Sequence, residues 1–235
     1  MAIEVKVDFL AVRIQAQVMR HRSGIEYDYE RFPEINRFWG LIDLVSSSNY
    51  RLLKGPALGY VRGETFFSLI REVITPLEGV ETVKEIGDAV LLAADSLRPL
   101  LESLLLIDLV ASQIALLAGD QQFPFAIRGG ISYGPAKQLN RAHRDYLGSA
   151  IDQLARIVNV KGSSSNLVLH EAAWRSHEGI LEEYSDFLSV TGAKPLSDLE
   201  SKGMIEPVFF RELIVNRGAL REFRRFFGLW KDSSS

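Results

Sequence analysis

Apolar and polar positions alternate in blocks along the chain, and the blocks have two periods. "RFWGLIDLV", from Arg37 to Val45, is a short run rich in β-formers and predicts a core strand, opening into "SSSNY" at Ser46 to Tyr50, where small hydroxyl residues favour a turn or a helix start. A short helix is expected over Thr65 to Ile74, ending near Pro76. In "TVKEIGDAVLLAA", Thr82 to Ala94, two strands flank a Gly87-Asp88 turn, and the second, Ala89 to Ala94, is apolar on both faces. "LRPLLESLLLIDLVASQIALLAG", Leu97 to Gly119, is long enough to imitate a membrane span. Glu102 and Asp108 interrupt it, and each is expensive in a bilayer, so the pattern predicts a long helix packed across a sheet and no stable membrane insertion.

Further along, "FPFAIRGGISYGPA", Phe123 to Ala136, is β-prone with glycines that allow close backbone approach. A helix is expected from about Gly148 to Val160, then a strand "NLVLH" and a helix beginning near Glu171. This order of elements is α/β with both crossovers and a hairpin, and predicts a mixed sheet. The C-terminal "RELIVNRGALREFRRFFGLWK" places basic and aromatic residues at near-helical spacing, which suits packing against the domain or a subunit better than a membrane surface. No Pro/Gly/Ser-rich linker divides the chain, so residues 1–235 are expected to form a single domain with a core at about 37–178 and additions at both ends.

Composition narrows the function classes. With 27 basic and 30 acidic residues the formal charge is -3, which gives no general attraction for nucleic acid or anionic lipid. There is no cysteine, so disulfides and thiolate metal sites are excluded, in accord with a reducing compartment. The first residues, "MAIEVKVDFLAVRIQ", alternate charged and apolar positions instead of forming a signal peptide, and a cytoplasmic location is expected. His21, His143, His170 and His177 show no zinc-ligand spacing. "RGGISYG" lacks the lysine and hydroxyl residue of a P-loop, and strand termination explains its glycines.

Candidate chemistry begins with two carboxylates at strand ends. Asp43 closes one apolar strand and Asp88 opens another; if the strands are neighbours, both side chains emerge at one edge. Two such groups repel unless one is protonated or a cation lies between them, and a magnesium or manganese pair completed by substrate phosphates is the arrangement that needs both charged. Two unrelated surface aspartates, or a hairpin turn using Asp88 for local hydrogen bonds, are the plainer alternatives.

The ordered set "FWGLIDLVSSSNY", "VKEIGDAVLLAA", "FAIRGGISYGPA" and "DYLGSAIDQLARIV" resembles the catalytic domain of class III nucleotidyl cyclases, from about Trp39 to Trp174. The resemblance implies a ferredoxin-like core with a mixed, mainly antiparallel sheet and flanking helices. It also implies a homodimer with shared active sites, a nucleoside triphosphate substrate, and two Mn2+ or Mg2+ ions per site on Asp43 and Asp88. Leu44, Ser46, Ser47, Ser48 and Asn49 would offer backbone donors to the phosphates if they open a helix. Arg156 would stabilise charge on the α-phosphate, and Asp152 would orient the ribose. Lys84 and Asp145 match the pair that reads adenine, and Tyr50 adds a stacking or hydrogen-bonding group.

Two departures matter. Asp152 stands where the family usually has asparagine, and Ser46-Ser47-Ser48 stands where glycine-phenylalanine-threonine is usual. These changes fit altered specificity, with a catalytically decayed nucleotide-sensing module as the non-enzyme alternative. A compact chain with a degenerate metal loop is similar to the pyrimidine nucleotide cyclases of bacterial anti-phage (Pycsar) systems. That similarity implies UTP, with CTP next and ATP after it, and a cyclic nucleotide read by a separate effector.

Overall fold

The computed structural model describes residues 15, 32–140, 145–160, 166–197, 203–204, 207–216 and 218–219. His21, His143 and the basic aromatic stretch from Leu220 onward lie outside them. The first half of the chain reads β1 (Glu34–Leu44), α1 (Ser47–Lys54), α2 (Pro56–Ile74), β2 (Val80–Ile86), β3 (Ala89–Ala94), α3 (Leu97–Ala118) and β4 (Ile127–Asn140). These strands pair antiparallel in the spatial order β2-β3-β1-β4, the arrangement of a ferredoxin-like βαββαβ unit. The second half adds β5 (Asp145–Leu147), α4 (Ser149–Val158), β6 (Leu167–His170), α5 (Glu171–Ser176), α6 (Glu178–Glu182), β7 (Leu188–Val190), β8 (Lys194–Pro195) and β9 (Phe209–Val215). Strand β6 joins β4 in parallel, and β9 then β7 extend the same sheet antiparallel. The sheet is therefore mixed and mainly antiparallel, as the sequence pattern predicts.

Strand alternation sorts the core into two layers. Phe38, Ile42 and Leu44 of β1, with Val90 and Leu92 of β3, face α2 and α3; Trp39, Leu41, Leu91 and Ala93 face α4 on the other side. That double cover explains why β3 carries no polar residue. Helix α3 passes a membrane-span test on length and composition, yet here it is the core helix of the first layer, with Leu97, Leu100, Leu101, Leu104 and Leu105 fully buried. One of its two acids is accounted for directly, since Tyr184 donates its hydroxyl to Glu102 at 2.6 Å. Burial and that carboxylate together push the Tyr184 phenol well above its ordinary range, so the bond persists across physiological pH.

Three elements depart from the sequence expectation. The helix expected over Thr65 to Ile74 starts at Pro56, with α1 preceding it. Proline suits the first turn of a helix, while Gly59 and Gly63 weaken its pattern. Gly59 is there for proximity, because a Cβ would lie 2.9 Å from Arg51 Cγ of α1. Strand β4 begins at Ile127, and Phe123 to Ala126 form a loop. Phe209–Val215 is a strand, so the near-helical spacing of the C-terminal stretch does not extend to its first residues; β-branched and aromatic side chains there alternate against β6 and β7.

Helix α5 begins at Glu171 as expected, and His170 caps it, its Nδ1 accepting from the Ala172 amide at 3.3 Å. Burial holds this imidazole below its ordinary pKa of 6.5, against the attraction of Glu171. A depressed pKa means the fold prefers the neutral ring. Its contribution to stability is complete above about pH 6.5 and is lost as the pH falls through the lowered folded value. Urea denaturation at stepped pH should show the wild type losing stability on acidification, and His170→Asn, which keeps a capping oxygen, should remove that component of the slope.

Candidate active site

The antiparallel register brings the two aspartates together. Asp43 is opposite Ala89 of β3 and Arg128 of β4, and the next amide, Leu44 N, donates to Asp88 O at 3.0 Å. Asp88 sits in the β2–β3 hairpin directly behind Gly87, whose φ of 64° supplies the left-handed turn that few other residues adopt. Both carboxylates thus stand at one edge of the sheet, Asp43 8% exposed and Asp88 half-buried.

Each carboxylate already has a partner. Arg128 donates from Nε to Asp43 Oδ2 at 2.6 Å and also pairs through its terminal nitrogen. Ser47, the first residue of α1, donates its hydroxyl to Asp88 Oδ2. Burial pushes the Asp43 carboxyl above its ordinary value; Arg128 opposes the shift, and the neighbouring charge of Asp88 adds to it. Arg128 is a site residue that sequence reasoning passed over. Its signal was the one charge inside "FAIRGGISYG", a stretch otherwise apolar or small.

Among the described residues, no cluster of three or more His, Cys, Asp or Glu side chains surrounds these aspartates. Two adjacent carboxylates form an all-oxygen donor set that suits Mg2+ or Mn2+ when substrate phosphates and water supply the remaining ligands. The residues therefore fit such ions, while in this structure Arg128 and Ser47 are the partners of the two carboxylates.

The loop after β1 has a cost built in. Ser46 has φ 58° and ψ 23°, the left-handed region, and its side chain makes no capping bond to α1. The amides of Leu44 and Val45 are committed to Asp88 O and Ala126 O. Leu44 thus has no free donor for a phosphate, because β1 pairs through that residue. The free donors of the first turn are those of Ser47, Ser48 and Asn49, which have no intrahelical acceptor. The Tyr50 ring lies against the Arg62 guanidinium at 4.6 Å and meets Phe123 edge-on at 5.8 Å.

The remaining predicted residues form two further groups. Lys84 of β2 and Asp145 of β5 are ion-paired to each other and about half exposed. Tyr146 packs against Trp39 with ring centroids 5.1 Å apart, which anchors β5 where Asp145 can meet Lys84. Asp152 and Arg156 stand one turn apart on α4. Gly148 lets that helix start close to β4, since a Cβ there would lie 2.4 Å from Pro135 O. Among the described residues Asp43 pairs with Arg128 and Asp88 with Ser47, while Lys84 pairs with Asp145. An apolar cleft of about 780 Å³ between α2 and α3 lies on the opposite face from α4 and has only Glu64 and Glu72 as charged lining groups.

With that geometry in place, solved structures give a consistent match. The chain superposes on a bacterial light-regulated adenylyl cyclase with a TM-score of 0.59 at 14% identity, covering 84% of this chain and 100% of that one. The guanylyl cyclase Cya2 matches with a TM-score of 0.60 at 15% identity, over 78% of this chain and 94% of that one. An adenylate cyclase from Trypanosoma brucei matches with a TM-score of 0.57 at 21% identity, over 76% and 89%. The chain has the fold of these cyclase domains. No protein-family model and no curated protein matches it. At such identities the likeness concerns the fold, and the site residues must speak for the chemistry.

Ser46 offers a check on the loop. A non-glycine residue in the left-handed region carries about 1–2 kcal/mol of strain, partly offset in any glycine variant by the extra freedom of the unfolded chain. Ser46→Gly should therefore stabilise the protein by about 0.5–1 kcal/mol in equilibrium denaturation, and a loss of stability would contradict the strained conformation.

Proposed function

We propose that this chain is a nucleotidyl cyclase forming 3′,5′-cyclic UMP and pyrophosphate from UTP. The observation that carries the reading is the Asp43–Asp88 edge, built by strand register on a cyclase fold and bordered by Arg128 and the first turn of α1. Asp43 and Asp88 would hold two Mn2+ or Mg2+ ions. Bound there, such ions activate a hydroxyl as a nucleophile and neutralise polyphosphate charge. The ribose 3′-hydroxyl gives up its proton to solvent and its oxygen attacks the α-phosphorus in line; a new P–O bond forms, the bond from the α-phosphorus to the α–β bridging oxygen breaks, and pyrophosphate leaves with the electron pair.

The protein's own groups position that step. Ser47, Ser48 and Asn49 present free amides at the positive end of α1 toward the phosphates. Arg128 supplies a cation at the same edge, available to phosphate oxygens once Asp43 is engaged elsewhere. Arg156 acts on α-phosphate charge and Asp152 accepts from a ribose hydroxyl. Those two, with Lys84 and Asp145, come from the second subunit of a homodimer, the arrangement that the family resemblance implies. Ile86 and Leu147, on the strands that carry Lys84 and Asp145, are 51% and 45% exposed and give that rim apolar surface for a partner. The unit is one catalytic domain with its core at about 37–178, acting in the cytosol and signalling through the cyclic nucleotide to a separate effector in anti-phage defence.

Pyrimidine preference rests on the departed metal loop and the subfamily resemblance. A second reading, ATP to cyclic AMP, is favoured by one observation: Lys84 and Asp145, the adenine-type donor and acceptor, do meet in the structure. Competition among ATP, GTP, CTP and UTP with Mn2+ and Mg2+, products identified by mass and chromatography, separates the two. Cyclic UMP should dominate; Asp43→Ala or Asp88→Ala should abolish turnover while leaving the fold intact by circular dichroism. Dominant cyclic AMP would transfer the assignment to adenine, and full activity in both variants would remove the metal site.

Sharing of sites between subunits is testable by complementation. Mixed dimers of Asp43→Ala with Arg156→Ala chains should regain one competent site, about half the wild-type activity per heterodimer, where each parent has none. Demonstrated heterodimers without recovery would show that each chain builds its site alone.

A further inference from the structure

Arg62 is a cation in an unusual position. It lies on α2, is 8% exposed, and none of its hydrogen bonds goes to a carboxylate. Nη1 donates to Phe123 O at 3.0 Å, and Nη2 donates to Pro124 O at 2.9 Å and Val45 O at 3.3 Å, while Nε has no partner. Tyr50 covers one approach to the guanidinium at 4.6 Å and Phe125 another at 5.5 Å. Asp120 attracts it through space, but that carboxylate is paired with Lys54 and accepts from the amides of Gln122 and Phe123.

A buried, incompletely bonded charge is a poor way to hold two loops together for stability alone, since apolar packing of similar volume is as good or better. What an arginine supplies is a planar fork that fixes direction. The three carbonyls it gathers come from two chain segments that diverge just there. The last bond of the β1–β4 ladder on this side joins Val45 N to Ala126 O at 2.9 Å. Beyond it, one segment turns into Ser46 and α1, and the other is the loop Phe123 to Ala126 leading into Arg128. Two residues before Val45 is Asp43. Arg62 thus ties the segment carrying Asp43 and the first turn of α1 to the segment carrying Arg128, and through its face it seats Tyr50.

We propose that Arg62 is a positioning residue of the polyphosphate site: its guanidinium sets the spacing between the Asp43 and Arg128 segments and fixes the first turn of α1 through Val45 and Tyr50. The role rests on the cyclase reading above and adds a residue that touches neither substrate nor metal. Tyr50 belongs to this clamp instead of contacting the base. The local sequence "YVRGETF" hides Arg62 as an ordinary surface helix charge, and the burial shows otherwise.

The test compares Arg62→Met, which keeps the bulk without the charge, with Arg62→Lys, which keeps the charge without the fork. Three measurements are needed on each: amide hydrogen exchange at 45–50 and 123–126 in the metal-free protein, affinity for 3′-deoxy-UTP with Mn2+ by calorimetry, and kcat and KM for the best nucleotide. Arg62→Met should exchange faster at both segments, bind the analogue about tenfold more weakly and lose on the order of 100-fold in kcat, the scale of a misplacement near 1 Å. Arg62→Lys should recover charge but not alignment, with affinity close to wild type and kcat still reduced about tenfold. A purely structural arginine would lower the unfolding temperature and leave kcat, KM and local exchange unchanged, and that result overturns the proposal. If Arg62→Met does not fold, the split between affinity and kcat in Arg62→Lys decides alone, wild-type kcat in that variant being the overturning outcome. Wild-type protein that binds no triphosphate would instead overturn the cyclase reading and the positioning role with it, whereas active wild type with equally active variants overturns the role only.

Discussion

A slip of one residue between β1 and its neighbours would carry Asp43 to the face of α2 and α3, because side chains alternate across a strand with a period of two. The register that prevents this is enforced from both sides. Phe38 and Ile42 must enter the layer of α2 and α3, and Trp39 and Leu41 the layer of α4. Nothing at the carboxylate edge could hold that alignment by itself, since two negative groups side by side oppose it. The hydrophobic sorting of a single strand is therefore what makes the charged edge possible, and the Leu44 amide on the Asp88 carbonyl locks the last step.

From that constraint follows the electrostatic condition of the site. Asp43 is nearly buried and lies beside Asp88, and both effects favour its protonated form. Arg128 offsets them from the neighbouring strand, and Ser47 gives Asp88 a hydroxyl donor. A divalent cation entering here would replace a single protein charge with a larger one, so its binding competes with the Arg128 pair and frees the guanidinium in the same event. Under the proposed function, neutralising the aspartates and presenting a cation to phosphate would be coupled, because Asp43 and Arg128 are cross-strand partners.

Much of this was legible in the sequence for a definite reason. Elements buried on two faces, such as Ala89 to Ala94, or on a broad stripe, such as Leu97 to Ala118, leave apolar patterns that little else produces, and Gly87-Asp88 has turn chemistry of its own. The pairing of Asp43 with Asp88 was conditional on those strands being neighbours, and the family resemblance singled the two residues out. Elements whose reason lies in a neighbour were not legible. Helix α1 buries none of its residues, the first turns of α2 contain Gly59, needed for contact with α1, and β5 is three residues long, paired to β4 and backed by one ring on Trp39. Arg128 and Arg62 were missed because a sequence shows a charge and not its burial. The register of β4 decides the first, and convergence of three carbonyls decides the second.

The same division between core and rim bears on how such a site can change its substrate. Adenylyl and guanylyl cyclases share this fold with the present chain at identities of 21% or less, so the core tolerates wide substitution as long as the two layers are filled. Asp43 is set into that core through register and burial. Lys84 and Asp145 are different: they are half exposed, paired mainly with each other, and a surface pair of this kind contributes little to stability. If the proposed function holds, residues that cost the fold little to exchange are where specificity can drift, whereas residues that fix the carboxylate edge cannot drift without losing the edge. The serines after Asp43 fall between these cases. Ser46 accepts backbone strain that glycine would relieve, and Ser47 spends its hydroxyl on Asp88, so the backbone of this loop is costly while one of its side chains serves the carboxylate edge.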